Sequence, residues 1–130
     1  MLVVSKWLLV AQEQSTSKLN IENFYYTELD VWIESRKLVN QVYLLTKNFP
    51  KEEVFGITSQ LRRCSVSIPS NIAEGCGRQS SKETIHFLYI SRGSLYELET
   101  QMYLSCDQEF LSTNDLNLVV KDFITTVEIG

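Results

Sequence analysis

From Leu29 onward, apolar positions return in steps of three and four. Leu29, Trp32, Ile33, Arg36 through its aliphatic stem, Val39, Val42 and Tyr43 line one side of a helix that ends before Phe49-Pro50. Pro50 opens a second segment with Glu52 and Glu53 in its first turn, where the helix dipole favours negative charge. Within it, Ile57, Leu61, Cys64, Ile68 and Ile72 keep helical phase across Pro69. A proline inside a helix costs roughly 3 kcal/mol, but burying four or five aliphatic side chains returns roughly 1.5–3 kcal/mol each. The pattern therefore predicts a proline-kinked helix over residues 52–74, ended by Gly75. The hydroxyls of Ser65 and Ser67 are placed to serve the groups the proline frees.

Ser80-x-x-Glu83 is a capping box that opens a third helix, whose stripe is Thr84, Leu88, Ser91, Leu95, Leu98 and Met102. Gly93 falls off that stripe, inside the helix, where glycine costs about 1 kcal/mol; a close approach by another backbone would explain it. Ser112-x-x-Asp115 caps a fourth segment, with Leu116, Val119, Val120, Phe123, Ile124 and Val127 in phase, and this helix is expected to be cut short. Four amphipathic helices with short connections predict an all-α, up-down-up-down four-helix bundle over residues 24–130. Residues 1–23 are expected to form a poorly ordered N-terminal extension. Their run MLVVSKWLLVA is broken by Lys6 and falls short of the roughly 20 apolar residues a membrane span needs.

A length of 130 residues, 44% of them hydrophobic, supports one domain with one core. Three cysteines, Cys64, Cys76 and Cys106, make neither a disulfide framework nor a C-x-x-C site and fit a reducing, cytoplasmic setting. The net charge of −4 argues against bulk attraction to nucleic acid, but it is unevenly distributed. Between residues 57 and 96, Arg62, Arg63, Arg78, Lys82 and Arg92 outnumber Glu74 and Glu83; beyond residue 96, seven carboxylates face Lys121 alone.

Catalytic constellations are scarce. Gly75-x-Gly77 follows a helix rather than a strand and lacks a following G-K-[ST], so it is no phosphate loop. Glu83-x-x-His86 is half of a di-iron motif, and His86 is the chain's one histidine, so the other half is missing. No serine or cysteine has an evident activating base. The expectation is a protein that is not an enzyme, with no cofactor, no metal and no small-molecule substrate.

What remains is surface. Ser59, Arg62, Val66, Ser70 and Ala73 form a second line of mostly small residues on the second helix, and small residues let helices approach closely. Tyr89, Tyr96 and Tyr103 repeat every seven residues on the third helix, well off its core stripe. They suit the rim of a bundle, an intersubunit face or base stacking. The five basic residues suit either a solvated, ion-paired face or contacts to RNA phosphates.

LDVW, the LT..FP..E.FG run, Q-L-R-R, S-I-P-S-N-I-A-E-G-x-G-R and R-G-S-L-x-E-L-E together resemble the bacterial four-helix-bundle family of 23S rRNA-intervening-sequence proteins, over roughly residues 24–127. The resemblance implies an all-helical subunit, frequently assembled into a pentameric ring or barrel, with no known catalytic activity. Some family genes lie within insertions of the large-subunit rRNA gene, and related retroelement accessory proteins work with a reverse transcriptase and its RNA. The chain departs from the family pattern at Cys64 and Ser91, where alanine is usual, and at Gln108-Glu109-Phe110, where Leu-Gly-Tyr is usual. It is also acidic where the retroelement proteins are basic. The resulting expectation is a homo-oligomer, with a pentamer as one candidate form, and a basic surface for structured RNA or a ribonucleoprotein; the alternative is an assembly or protein-interaction subunit without nucleic-acid contact. On this reading Arg62, Arg63, Arg78, Lys82 and Arg92 meet RNA, while Ser59, Val66, Ser70, Ala73, Tyr89, Tyr96 and Tyr103 meet other subunits.

Overall fold

The computed structural model describes residues 25–129, with side chains through residue 122. The extension expected over residues 1–23 lies outside the described residues. Four α-helices follow one another: α1 Asp30–Thr46, α2 Ile57–Cys76, α3 Ser81–Asp107 and α4 Thr113–Ile129, with short 3-10 turns at Tyr26–Glu28 and Lys51–Glu53. No strand occurs among the described residues. The chain is all-α, as the periodicity predicts.

Three hydrogen bonds set the direction of α3 against α2. Thr84 Oγ1 donates to the Gly75 carbonyl at 2.8 Å, Ser91 Oγ to that of Ile68 at 2.8 Å, and Cys64 Sγ to that of Ser94 at 3.1 Å. Residue numbers fall on one helix as they rise on the other, so the two helices run antiparallel. The contact is close because the facing residues are small: Ser65 and Ser91 are fully buried, and a Cβ added to Gly75 would sit 2.9 Å from the Phe87 Cβ and 3.2 Å from the Thr84 carbonyl oxygen.

The core stripe of α3 is as expected, with Thr84, Leu88, Ser91, Leu95, Leu98 and Met102 all buried. Leu61, Cys64, Ile68 and Ile72 of α2 meet it, and Leu116 and Val119 of α4 complete the core. The inward stripe of α1 differs from the expected one: Val31, Ser35, Leu38, Val42 and Thr46 are buried, while Trp32, Ile33 and Val39 are half-buried beside them. The two inward hydroxyls return to their own helix, Ser35 Oγ to the Trp32 carbonyl at 2.8 Å and Thr46 Oγ1 to that of Val42 at 2.8 Å. A hydroxyl satisfied this way enters a core at little cost.

The second helix also differs at both ends. Residues 51–53 form a separate turn, α2 starts at Ile57, and it runs through Gly75 to Cys76. The Glu53 carboxylate caps the new start, accepting from the Ile57 N–H at 3.1 Å. Pro69 lies inside α2. Ser65 and Ser67 donate to the carbonyls of Arg62 and Cys64, at 2.9 and 2.7 Å, and so serve the turn before the proline rather than the Ser65 carbonyl that its ring leaves without a donor.

Both predicted N-caps form. The Glu83 N–H donates to Ser80 Oγ at 3.2 Å, the Ser80 hydroxyl donates to Glu83 Oε2 at 3.1 Å, and the Asp115 N–H donates to Ser112 Oγ at 3.1 Å. At the far end of α3, the Phe110 N–H bonds the Ser105 carbonyl and the Glu109 N–H that of Cys106, both at 2.9 Å, which is the Schellman pattern. The left-handed residue this pattern requires is Glu109, at φ 63°.

Candidate interaction surfaces

The five basic residues spread along the α2–α3 pair. Arg62 is half-buried at the α1 side of α2, its Nε donating to Thr46 Oγ1 at 2.9 Å and its guanidinium 4.7 Å from the Tyr43 ring centre. Arg63 beside it is exposed. Sixteen residues on, about 24 Å at ~1.5 Å per helical residue, Arg78 pairs with Glu74 at 2.7 Å and lies over Phe87. Lys82 is exposed on the first turn of α3. Arg92 is half-buried, 5.5 Å over the Tyr96 ring, with its Nε buried and without a partner. One subunit thus brings Arg62 and Arg63 together at one end and Arg78 and Lys82 at the other, with no single cluster of all five.

The tyrosines share one face. Tyr89, Tyr96 and Tyr103 are each 45% exposed on the outer side of α3. Gly93 and Thr100 lie between them, and Asp107 ends the row. No neighbouring group comes within 4 Å of the place a Gly93 Cβ would occupy, so nothing in the described chain makes the close approach its glycine suggested.

Along the seam between α1 and α2 runs a second surface, which sequence reasoning saw only as a line of small residues. Two shallow grooves meet at Val66 and form one trough. Ser59, Val66, Ser70 and Ala73 line it from α2, and Trp32, Val39 and Tyr43 line it from α1. Arg36, Arg62 and Arg63 line it, and among the described residues no carboxylate does. Val54 also lines it, and Phe55, next along the chain, is 95% exposed. The α1 side was missed because α1 turns Trp32 and Val39 partly outward, against an apolar count that assigns them to the core.

Among the described residues no three potential metal ligands come together, and no helix is long and apolar enough to cross a membrane. Comparison with characterised proteins gives no match. The sequence profile described as 23S rRNA-intervening sequence protein matches residues 27–129, the stretch that folds into the four helices, and the chain belongs to that family.

Proposed function

We propose that this chain is a non-enzymatic assembly subunit that associates with copies of itself through the outer face of α3, in a reducing compartment where its three cysteines stay free. One observation carries the reading: three half-exposed tyrosines at a seven-residue period share a helix face with a glycine that nothing among the described residues requires. Tyrosine offers large apolar area at small entropic cost, and glycine admits a neighbouring helix at close range. Light scattering at micromolar concentration should give a mass several times the 15.0 kDa of one chain. Tyr96→Glu should shift that mass toward the monomer with helicity unchanged, because an unpaired carboxylate buried in an interface costs several kcal/mol. A wild-type protein that stays monomeric at high concentration removes the proposal.

A second reading, contact with structured RNA, draws on Arg63 and Lys82, which are exposed and lack a carboxylate within salt-bridge distance among the described residues. Assembly would multiply such charges around the oligomer. RNA retention should then fall steeply with salt, and Arg63→Gln with Lys82→Gln should flatten the slope in proportion to the phosphates no longer neutralised. Absence of retention at low salt leaves assembly alone.

A further inference from the structure

We infer that the trough between α1 and α2 is a docking groove for an acidic amphipathic helix of a partner protein. It lies on other helices than the α3 face through which copies of this chain associate, and the inference does not depend on that association.

The walls decide what form the occupant takes. Both sides of the trough are helices, whose backbone N–H and C=O groups are spent on their own turns, so no backbone edge is open to a strand. An occupant must satisfy its own backbone, which a helix does. From Ser59 to Ala73 the α2 side runs about 21 Å at ~1.5 Å per residue, room for about four helical turns. Val39, Val54, Val66, Pro69 and Ala73 offer apolar surface to one face of that helix. Phe55, beside Val54, holds its ring almost wholly in water, an apolar exposure of the kind that marks a contact surface. At the same end the Thr58 hydroxyl is buried without a hydrogen-bond partner, a donor that an acceptor on the occupant can take.

Charge gives the sign of the partner. In a chain of net charge −4, Arg36, Arg62 and Arg63 line the trough and no carboxylate among the described residues does. The acidic residues of α1 and α2 are engaged or turned away. Glu34 pairs with Lys37 at 2.9 Å and Glu74 with Arg78 at 2.7 Å, while Asp30 lies about 160° round α1 from Trp32. In the 3-10 turns, Glu53 accepts from the Ile57 N–H, and Glu28 and Glu52 are exposed without lining the trough. Arg36 lines the half that holds Pro69 and Ala73, Arg62 and Arg63 the half that holds Val54 and Ser59. A helix with carboxylates on both flanks of its apolar stripe meets both halves.

The same arginines would suit an RNA strand, but the rings beside them do not. The Arg36 guanidinium lies 5.5 Å over Trp32 and that of Arg62 4.7 Å over Tyr43, and Tyr26 stands edge-on to Trp32 at 5.6 Å. A face of each ring on which a base would stack already carries a cation. These contacts also hold the guanidiniums in place for carboxylates before the partner arrives.

Two labelled synthetic peptides of about four helical turns test this. They share one leucine stripe and carry glutamate in one case, lysine in the other, at the polar positions; a labelled oligouridylate is the RNA probe. With the full chain, fluorescence anisotropy should show the glutamate peptide bound about tenfold or more tighter than the other two. Arg36→Glu with Arg63→Glu should weaken it about tenfold or more, and so should Val66→Glu. Lys37→Glu, the same charge change on α1 outside the trough, should leave binding within about twofold. All four positions are exposed, and circular dichroism checks that each variant folds. No binding of the glutamate peptide overturns the inference, as do equal binding of both peptides and an equal loss with Lys37→Glu. Tighter binding of the oligouridylate overturns it by giving the groove to RNA. A glutamate peptide that splits the assembly into 15.0 kDa chains overturns it by giving the groove to a second copy. The mass of the protein without peptide tests self-association separately, so either reading can fail while the other stands.

Discussion

Gly75→Val should cost the fold about 3 kcal/mol or more, the range of an overpacked core position that also loses a buried hydrogen bond. A Cβ at residue 75 would meet the Phe87 Cβ at 2.9 Å and the Thr84 carbonyl oxygen at 3.2 Å, and neither is the loose end of a flexible side chain. To make room, α2 and α3 must separate where Thr84 Oγ1 donates to the Gly75 carbonyl. Alanine should also destabilise, although a solvent-exposed helical glycine normally gains about 1 kcal/mol on that change. Gly93→Ala supplies that contrast, because its Cβ meets nothing within 4 Å among the described residues. Glu109 shows the opposite error. It holds φ 63° at the end of α3, where an L side chain is strained, and Glu109→Gly should gain about 1 kcal/mol. Urea unfolding of the four variants orders them; a Gly75→Ala protein as stable as Gly93→Ala would show that the α2–α3 approach is not as close as described.

These two positions show what the sequence could and could not reveal. Gly75 reads as a helix stop because glycine commonly ends helices, yet here the same residue is required by Phe87 and Thr84 across the gap, and no local pattern shows a partner on another helix. Glu109 is legible only through the family resemblance, which places glycine there; the chain's own residues give no sign of a left-handed turn. The α3 stripe was readable because its inward residues are apolar or small at helical spacing. The α1 stripe was not, because Ser35 and Thr46 occupy inward positions that an apolar count assigns to solvent, and their hydroxyls are satisfied within the helix.

The interaction surfaces were half legible for a similar reason. A seven-residue repeat of tyrosine is visible in one dimension, and so is a line of small residues. That Val66 and Ala73 line one trough with Trp32, Val39 and Tyr43 depends on the rotation of α1 about its axis, which no single helix shows in its own sequence. The basic residues look like one cluster because they fall within one stretch of sequence. An antiparallel hairpin sends Arg62 and Arg78 to opposite ends of α2, and Arg78 is tied to Glu74 one turn before it.

Raising the pH from 7 to about 10.5 should destabilise the wild-type protein by about 2 kcal/mol more than Cys64→Ala, as the linkage of a buried thiol requires. Cys64 is buried in α2, its Sγ donating to the Ser94 carbonyl at 3.1 Å. Burial, and after it the negative charge and hydrogen bonding of Glu97, push the thiol from its ordinary 9.0 up to about 12. In the unfolded chain it would ionise near 9. Between these values the folded protein keeps a proton that the unfolded protein has released, so stability falls as pH rises. The contribution is whole below pH 9 and is lost as the pH climbs through the folded value, up to roughly 4 kcal/mol in all at ~1.4 kcal/mol per unit. Every other ionisable group is common to both proteins and cancels in the comparison. At pH 7 the order reverses: the alanine variant is the weaker by about 1 kcal/mol, the cost of the small cavity left by a buried sulfur. Urea midpoints of the two proteins should therefore converge and cross as pH rises. Parallel pH profiles would mean that the Cys64 thiolate is no less stable in the fold than in the unfolded chain, and that the space between α2 and α3 admits water.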